Sequence, residues 1–175
     1  MSTRNRSTEA AVALLVLGLC VLACSTGVQE TTQKQGWTYA EEQDEMGKGV
    51  IKRASIMSSN AVSLKYPYGG SQLAKLWLRK HPRLGESVAL SVERGQFLEG
   101  NLLVRFDDNV ALSFGSHEPD SGSTTTVFIE EYPKFMKYLK RSKKMKIQAS
   151  FYQEAPQIFE FEVEGLVWET APYLL

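Results

Sequence analysis

Apolar and polar positions follow two regimes along this chain. From Ala10 to Ala23 the apolar residues are nearly unbroken, a run of about 14, with Arg4 and Arg6 ahead of it in a lead of Ser, Thr and Asn. That run is the length of a signal h-region and short of the ~20 residues a helix needs to cross a bilayer. It predicts an export signal; a retained helix is the lesser reading. Ser25 to Gly36 holds one valine among Ser, Thr, Gln and Gly, too little apolar surface for a fold, and reads as a tether.

From Trp37 onward the period is two. Strands are predicted over Trp37–Glu41, Val50–Met57, Asn60–Lys65, Leu73–Arg79 and Ser87–Glu93. Pro67-Tyr-Gly-Gly70 breaks the series as a turn, and His81 to Gly85 reads as a connection. Leu102–Phe106 and Val110–Phe114 flank Asp107-Asp-Asn109, residues that suit a tight reversal. After a polar loop over 115–125 and a short strand over Thr126–Ile129, the period changes. Tyr132, Phe135, Met136 and Leu139 recur at three and four, with acids before and bases after, which predicts one helix over about 131–142. Met145–Phe151 and Phe159–Val163 alternate again as a closing hairpin. About ten strands with one late helix predict a mainly β domain, a β-sandwich or bent barrel. The expected organisation is a signal over 1–23, a tether over 24–36 and a single β-rich domain over 37–175.

Charge and cysteine content narrow the chemistry. Twenty basic and 20 acidic residues cancel, which removes the bulk electrostatic case for nucleic acid. Both cysteines, Cys20 and Cys24, lie in or beside the signal, so the β domain has neither a disulfide nor a thiolate metal site. His117, Glu118 and Asp120 share a loop, but a solvated turn explains them better than a cation site. Asp107 and Asp108 are likewise read as turn residues before an acid/base pair. No Gly-x-Ser-x-Gly elbow, penicillin-recognising set or phosphate-cradling loop occurs. The chain is therefore read as no enzyme, with no cofactor and no metal.

Two features suggest a binding surface. Lys134 to Lys146 is rich in bases, among them Lys140, Arg141 and Lys143, and could meet anionic headgroups at about 1 kcal/mol per base. The duller alternative pairs these bases across the hairpin with Glu160, Glu162 and Glu164, Lys146 falling opposite Glu164. Most aromatics are assigned to the core or the strand surfaces; Tyr66 and Tyr68, at a turn, are the exposed ones expected to bind.

Val21-Leu-Ala-Cys24 resembles the lipobox of bacterial lipoproteins. Cys20 follows Leu19 where a small residue is wanted, so Cys24 is favoured. The resemblance implies cleavage before Cys24, a diacylglycerol on its sulfur and an acylated amine. An ordinary cleaved signal is the alternative. Ser25, in place of the Asp that retains lipoproteins in the inner membrane, implies the inner leaflet of the outer membrane, facing the periplasm. Residues 86–168, through Leu103-Val-Arg-Phe-Asp-Asp108, Phe151-Tyr152, Phe159-Glu-Phe161 and Gly165-Leu-Val-Trp168, are similar to small exported bacterial and phage proteins. They are loosely similar to β-sandwich proteins associated with type VI secretion. No site residue carries over. The expected function is a lipid-anchored, non-enzymatic envelope protein with a membrane attachment at Cys24 and a protein or envelope partner. The alternatives are a phage-encoded lipoprotein that blocks a receptor or injection apparatus, and a periplasmic hydrolase.

Overall fold

The alternating segments form strands because each can bury one side of its pleat. A computed structural model describes residues 36–169. The signal, Cys24 and all of the tether but Gly36 lie outside the described residues. Eleven strands and one helix are described: β1 (Thr38–Gln43), β2 (Val50–Met57), β3 (Val62–Leu64), β4 (Gly70–Gln72), β5 (Ala74–His81), β6 (Gly85–Val92), β7 (Gly100–Phe106), β8 (Leu112–His117), β9 (Thr126–Ile129), α1 (Tyr132–Leu139), β10 (Lys144–Ala149) and β11 (Gln157–Glu162). The domain is mainly β with its helix late, as the periods predict. No described helix is long and apolar enough to cross a membrane.

Nine strands make one antiparallel sheet in the order β1-β2-β5-β6-β9-β8-β7-β10-β11; β3 and β4 pair separately. No ladder joins β1 to β11, so the sheet is not a closed barrel. It bends far enough for its margins to meet. Trp37 Nε1 donates to the Val163 carbonyl at 3.0 Å. Beyond β2, the Ser59 amide donates to the Glu160 carbonyl at 2.7 Å. Asn60 acts there as a stand-in strand, its Nδ2 donating to the Ile158 carbonyl at 2.9 Å and its Oδ1 accepting from the Glu160 amide at 2.7 Å. That covers a strand edge that would otherwise be open to pairing with another chain.

One face of the sheet and α1 share the core. Leu76, Leu78, Val88, Leu90, Val104, Phe114 and Phe159 are fully buried there, with Phe135 and Leu139 from the helix. Phe135 meets Phe106 and Phe114 edge-on at 5.5 and 5.4 Å. The helix is shorter than expected. Glu131, left-handed at φ 53°, starts it, and Ser142 ends it by donating its hydroxyl to the Tyr138 carbonyl at 2.9 Å. At the far end Trp168 Nε1 donates to the Tyr132 hydroxyl at 2.9 Å, and burial pushes that phenol's pKa up.

Two aspartates lock loops. Asp44 holds Arg83 through both oxygens, at 2.7 and 2.9 Å, and so ties the β1–β2 turn to the β5–β6 turn. Gly47 is required beside the pair, since a Cβ there would stand 2.5 Å from Asp44 Oδ2. Asp107 Oδ1 accepts the amides of Lys143 and Lys144, each at 2.9 Å, and so pins β7 to the start of β10. The Arg83 guanidinium holds the Asp44 carboxyl below the usual carboxylate range; the Lys144 and then the Lys143 amide do the same for Asp107. A depressed folded-state pKa adds stability that is present above the unfolded value, about 4, and is lost as pH falls through the folded one. Replacing both by Asn is expected to lower the urea midpoint at pH 6. The gap to the parent should narrow steadily below about pH 4. A gap constant from pH 6 to 2.5 would refute the assignment.

Candidate functional site

The residues singled out in the sequence fall at two separate places. Tyr66, 93% exposed, and Tyr68 lie between β3 and β4. Tyr68 is half-buried against the core, its hydroxyl 3.4 Å from Gln96 Oε1, so it supports the loop more than it offers a surface. The same loop reaches the β10–β11 turn, where Glu154 accepts the Lys65 amide. Lys140, Arg141 and Lys143 are exposed at the opposite end of that hairpin. Along the six residues of β10 the two groups stand about 20 Å apart, and no single ligand-sized surface contains both.

The hairpin's bases are largely paired across it. Lys146 bonds Glu160, Lys144 stands 3.3 Å from Glu162 and Lys143 3.6 Å from Glu164. The expected partnership of Lys146 with Glu164 is corrected to Glu160, directly opposite in the register. The turn comes earlier than Ala155 because Gln153 takes the left-handed conformation and Phe151 is held in a bridge with Phe97. Among the described residues no group of three or more His, Cys, Asp and Glu is placed to hold a metal ion. His117 faces Glu130 at 3.5 Å.

A concavity of about 450 Å³ on the core side lies between Tyr39, Lys52, Lys80 and Trp168. Its polar groups serve the fold. Tyr39 accepts the Val167 amide at 2.8 Å, Lys52 stands 3.5 Å from Glu41, and Lys80 is 3.4 Å from the Glu169 carbonyl and 3.8 Å from Glu86.

A different surface is built on the outer side of the sheet. Because β5 turns Leu76 and Leu78 inward, Lys75, Trp77 and Arg79 face out. Register then sets one rank of side chains across the sheet: Thr38, Ser55, Trp77, Ala89, Phe128 and His117, each opposite the next. Ala89 is small enough for the rings on either side to meet over it, Trp77 and Phe128 edge-on at 5.5 Å, and it is wholly covered by them. His117 stacks on Phe128 at 5.6 Å. On the other flank of Trp77 the short side chains of Ser55 and Ala40 leave a depression of about 490 Å³, bordered by Arg53, Lys75 and Arg79. No acidic residue lines it. Arg53 is paired with Glu42 at 2.6 Å; the side chains of Lys75 and Arg79 have no ion pair or hydrogen bond among the described residues. A partly exposed indole between two cations with no ion pair, Lys75 and Arg79, is a surface that can bind an anionic ligand.

Sequence reading passed over this surface. The alternation of Lys75, Trp77 and Arg79 against Ala74, Leu76 and Leu78 was its visible signal. Comparison of the chain with protein-family models, with curated proteins and with solved structures gives no match.

Proposed function

We propose that this chain is a lipid-anchored, non-enzymatic cell-envelope protein whose β domain binds a protein or envelope component. The observation that carries the binding role is the outer sheet face around Trp77, where a partly exposed ring and two cations without acidic partners, Lys75 and Arg79, lie on a doubly paired strand. Cations left unneutralised on a rigid face are suited to a ligand that supplies the missing charge. Tyr66 and the bases Lys140, Arg141 and Lys143 are secondary contact points at the ends of the β10–β11 hairpin. The anchor rests on Arg4, Arg6, the apolar run to Ala23, and Cys24; Ser25 favours the inner leaflet of the outer membrane.

Cys24→Ser in the full chain tests the anchor. Most of the parent protein is expected in the membrane fraction of a Gram-negative host, and most of the variant in the periplasmic extract. Mass spectrometry should find diacylglycerol on the parent alone. A parent protein whose Cys24 sulfur carries no lipid in that spectrum refutes attachment at Cys24.

A further inference from the structure

We infer that the outer face around Trp77 is a site for an acidic saccharide, a chain of sugar rings bearing carboxylates. The inference rests on the binding role proposed above and names its ligand class. Three features of the face select this class. The first is the ring: Trp77 is partly exposed on this face with only the small Ser55 and Ala89 opposite it, and an indole offers an apolar surface on which a pyranose can stack. The second is charge. Lys75 and Arg79 lie two residues to either side of Trp77 on the same face, about 7 Å away along the strand, so a ring stacked on the indole has a cation at each end. Arg79 has no ion pair among the described residues, and the planar fork of a guanidinium matches the two oxygens of a carboxylate.

The third feature is the hydroxyl surround. Ser55 stands opposite Trp77, Ser87 opposite Arg79 and Ser91 opposite Lys75. Of these, Ser55 and Ser91 are partly exposed. A polyhydroxylated ligand answers such groups where a purely apolar one would leave them unmet. An acidic peptide is the competing ligand, but β5 is paired along its length by β2 and β6, which removes the backbone edge that an extended peptide uses to add a strand. The face also lacks deep apolar pockets for successive side chains.

The test uses the full-length chain in neutral detergent, titrated with four probes: hexagalacturonate, the neutral hexasaccharide cellohexaose, a hexaglutamate peptide, and phosphatidylglycerol in mixed micelles of the same detergent. Binding is read by calorimetry, with tryptophan fluorescence as the local reporter. Hexagalacturonate is expected to bind, at least about tenfold tighter than the other probes, with affinity falling as salt rises. Trp77→Ala and Arg79→Gln should each weaken it about tenfold or more, and Tyr66→Ala, on a different loop, should leave it unchanged. Arg79→Gln keeps the test decisive if Trp77→Ala melts early. The ligand class is overturned if hexaglutamate or the phosphatidylglycerol micelles bind as well as the uronate with the same dependence on Trp77 and Arg79; the binding role of the face then stands. Uronate binding indifferent to both substitutions, or absent, overturns the site itself. The anchor at Cys24 is judged separately by fractionation.

Discussion

Phe135→Ala is expected to remove about 3–5 kcal/mol of unfolding free energy, a large part of the ~5–15 kcal/mol that holds a domain of this size. Phe135 is fully buried and is the ring through which α1 meets the sheet, edge-on to both Phe106 and Phe114. Those two rings lie 6.4 Å apart on adjacent strands, and neither can move into the void without giving up its contact with the other. Met136 and Leu139 would keep the helix in place over a cavity. A urea melt should show the midpoint falling with little change in slope. Phe135→Leu, which keeps most of the volume, should cost less than half as much. A loss below about 1 kcal/mol for the alanine variant would mean that the helix is not docked through this ring.

The second large effect concerns one hydroxyl. Ser58, fully buried, donates to the Asn60 carbonyl at 2.8 Å and accepts the amide of Ala74 at 3.0 Å. Its own backbone amide donates to the Ala74 carbonyl at 2.7 Å. Ser58→Ala leaves the buried Ala74 N–H without its acceptor and takes a donor from the Asn60 carbonyl, at about 1–3 kcal/mol. The shape change is small, so the cost comes from polarity. Because Ser58 fixes Asn60, the loss reaches the seam with β11. Exchange of the Ser59 and Glu160 amides should speed up in the variant while that of Leu90 stays slow. Unchanged exchange at the seam would show that Asn60 holds its place without Ser58.

Period two was enough to find most strands and to assign their inward residues, because alternation follows directly from burying one side of a pleat. Leu76, Leu78, Val88 and Leu90 are core for the reason their spacing gives. Where short segments lack apolar alternation the reading failed: Gly70–Gln72 is a strand, whereas the sequence pattern places Gly70 in the turn and Ser71 and Gln72 in no element. His81 is the last residue of β5 and no connection, since its Nδ1 receives the amides of Arg83 and Leu84 and closes the turn itself. The candidate site depends on pairing at long range. Trp77 meets Phe128 only because β6 lies beside β9, and local spacing carries no information about that neighbour. Frequency put the tryptophan in the core or on a strand surface, with no means of choosing.

The strand order also bears on how the chain comes together in time. β6 has its permanent neighbour in β9, yet β7 and β8 are made between them. Because synthesis runs from the amino end, the meander of β1, β2, β5 and β6 can assemble early, with one flank bare until Thr126 to Ile129 arrive. During that interval a chaperone, or another nascent copy, would find its opening.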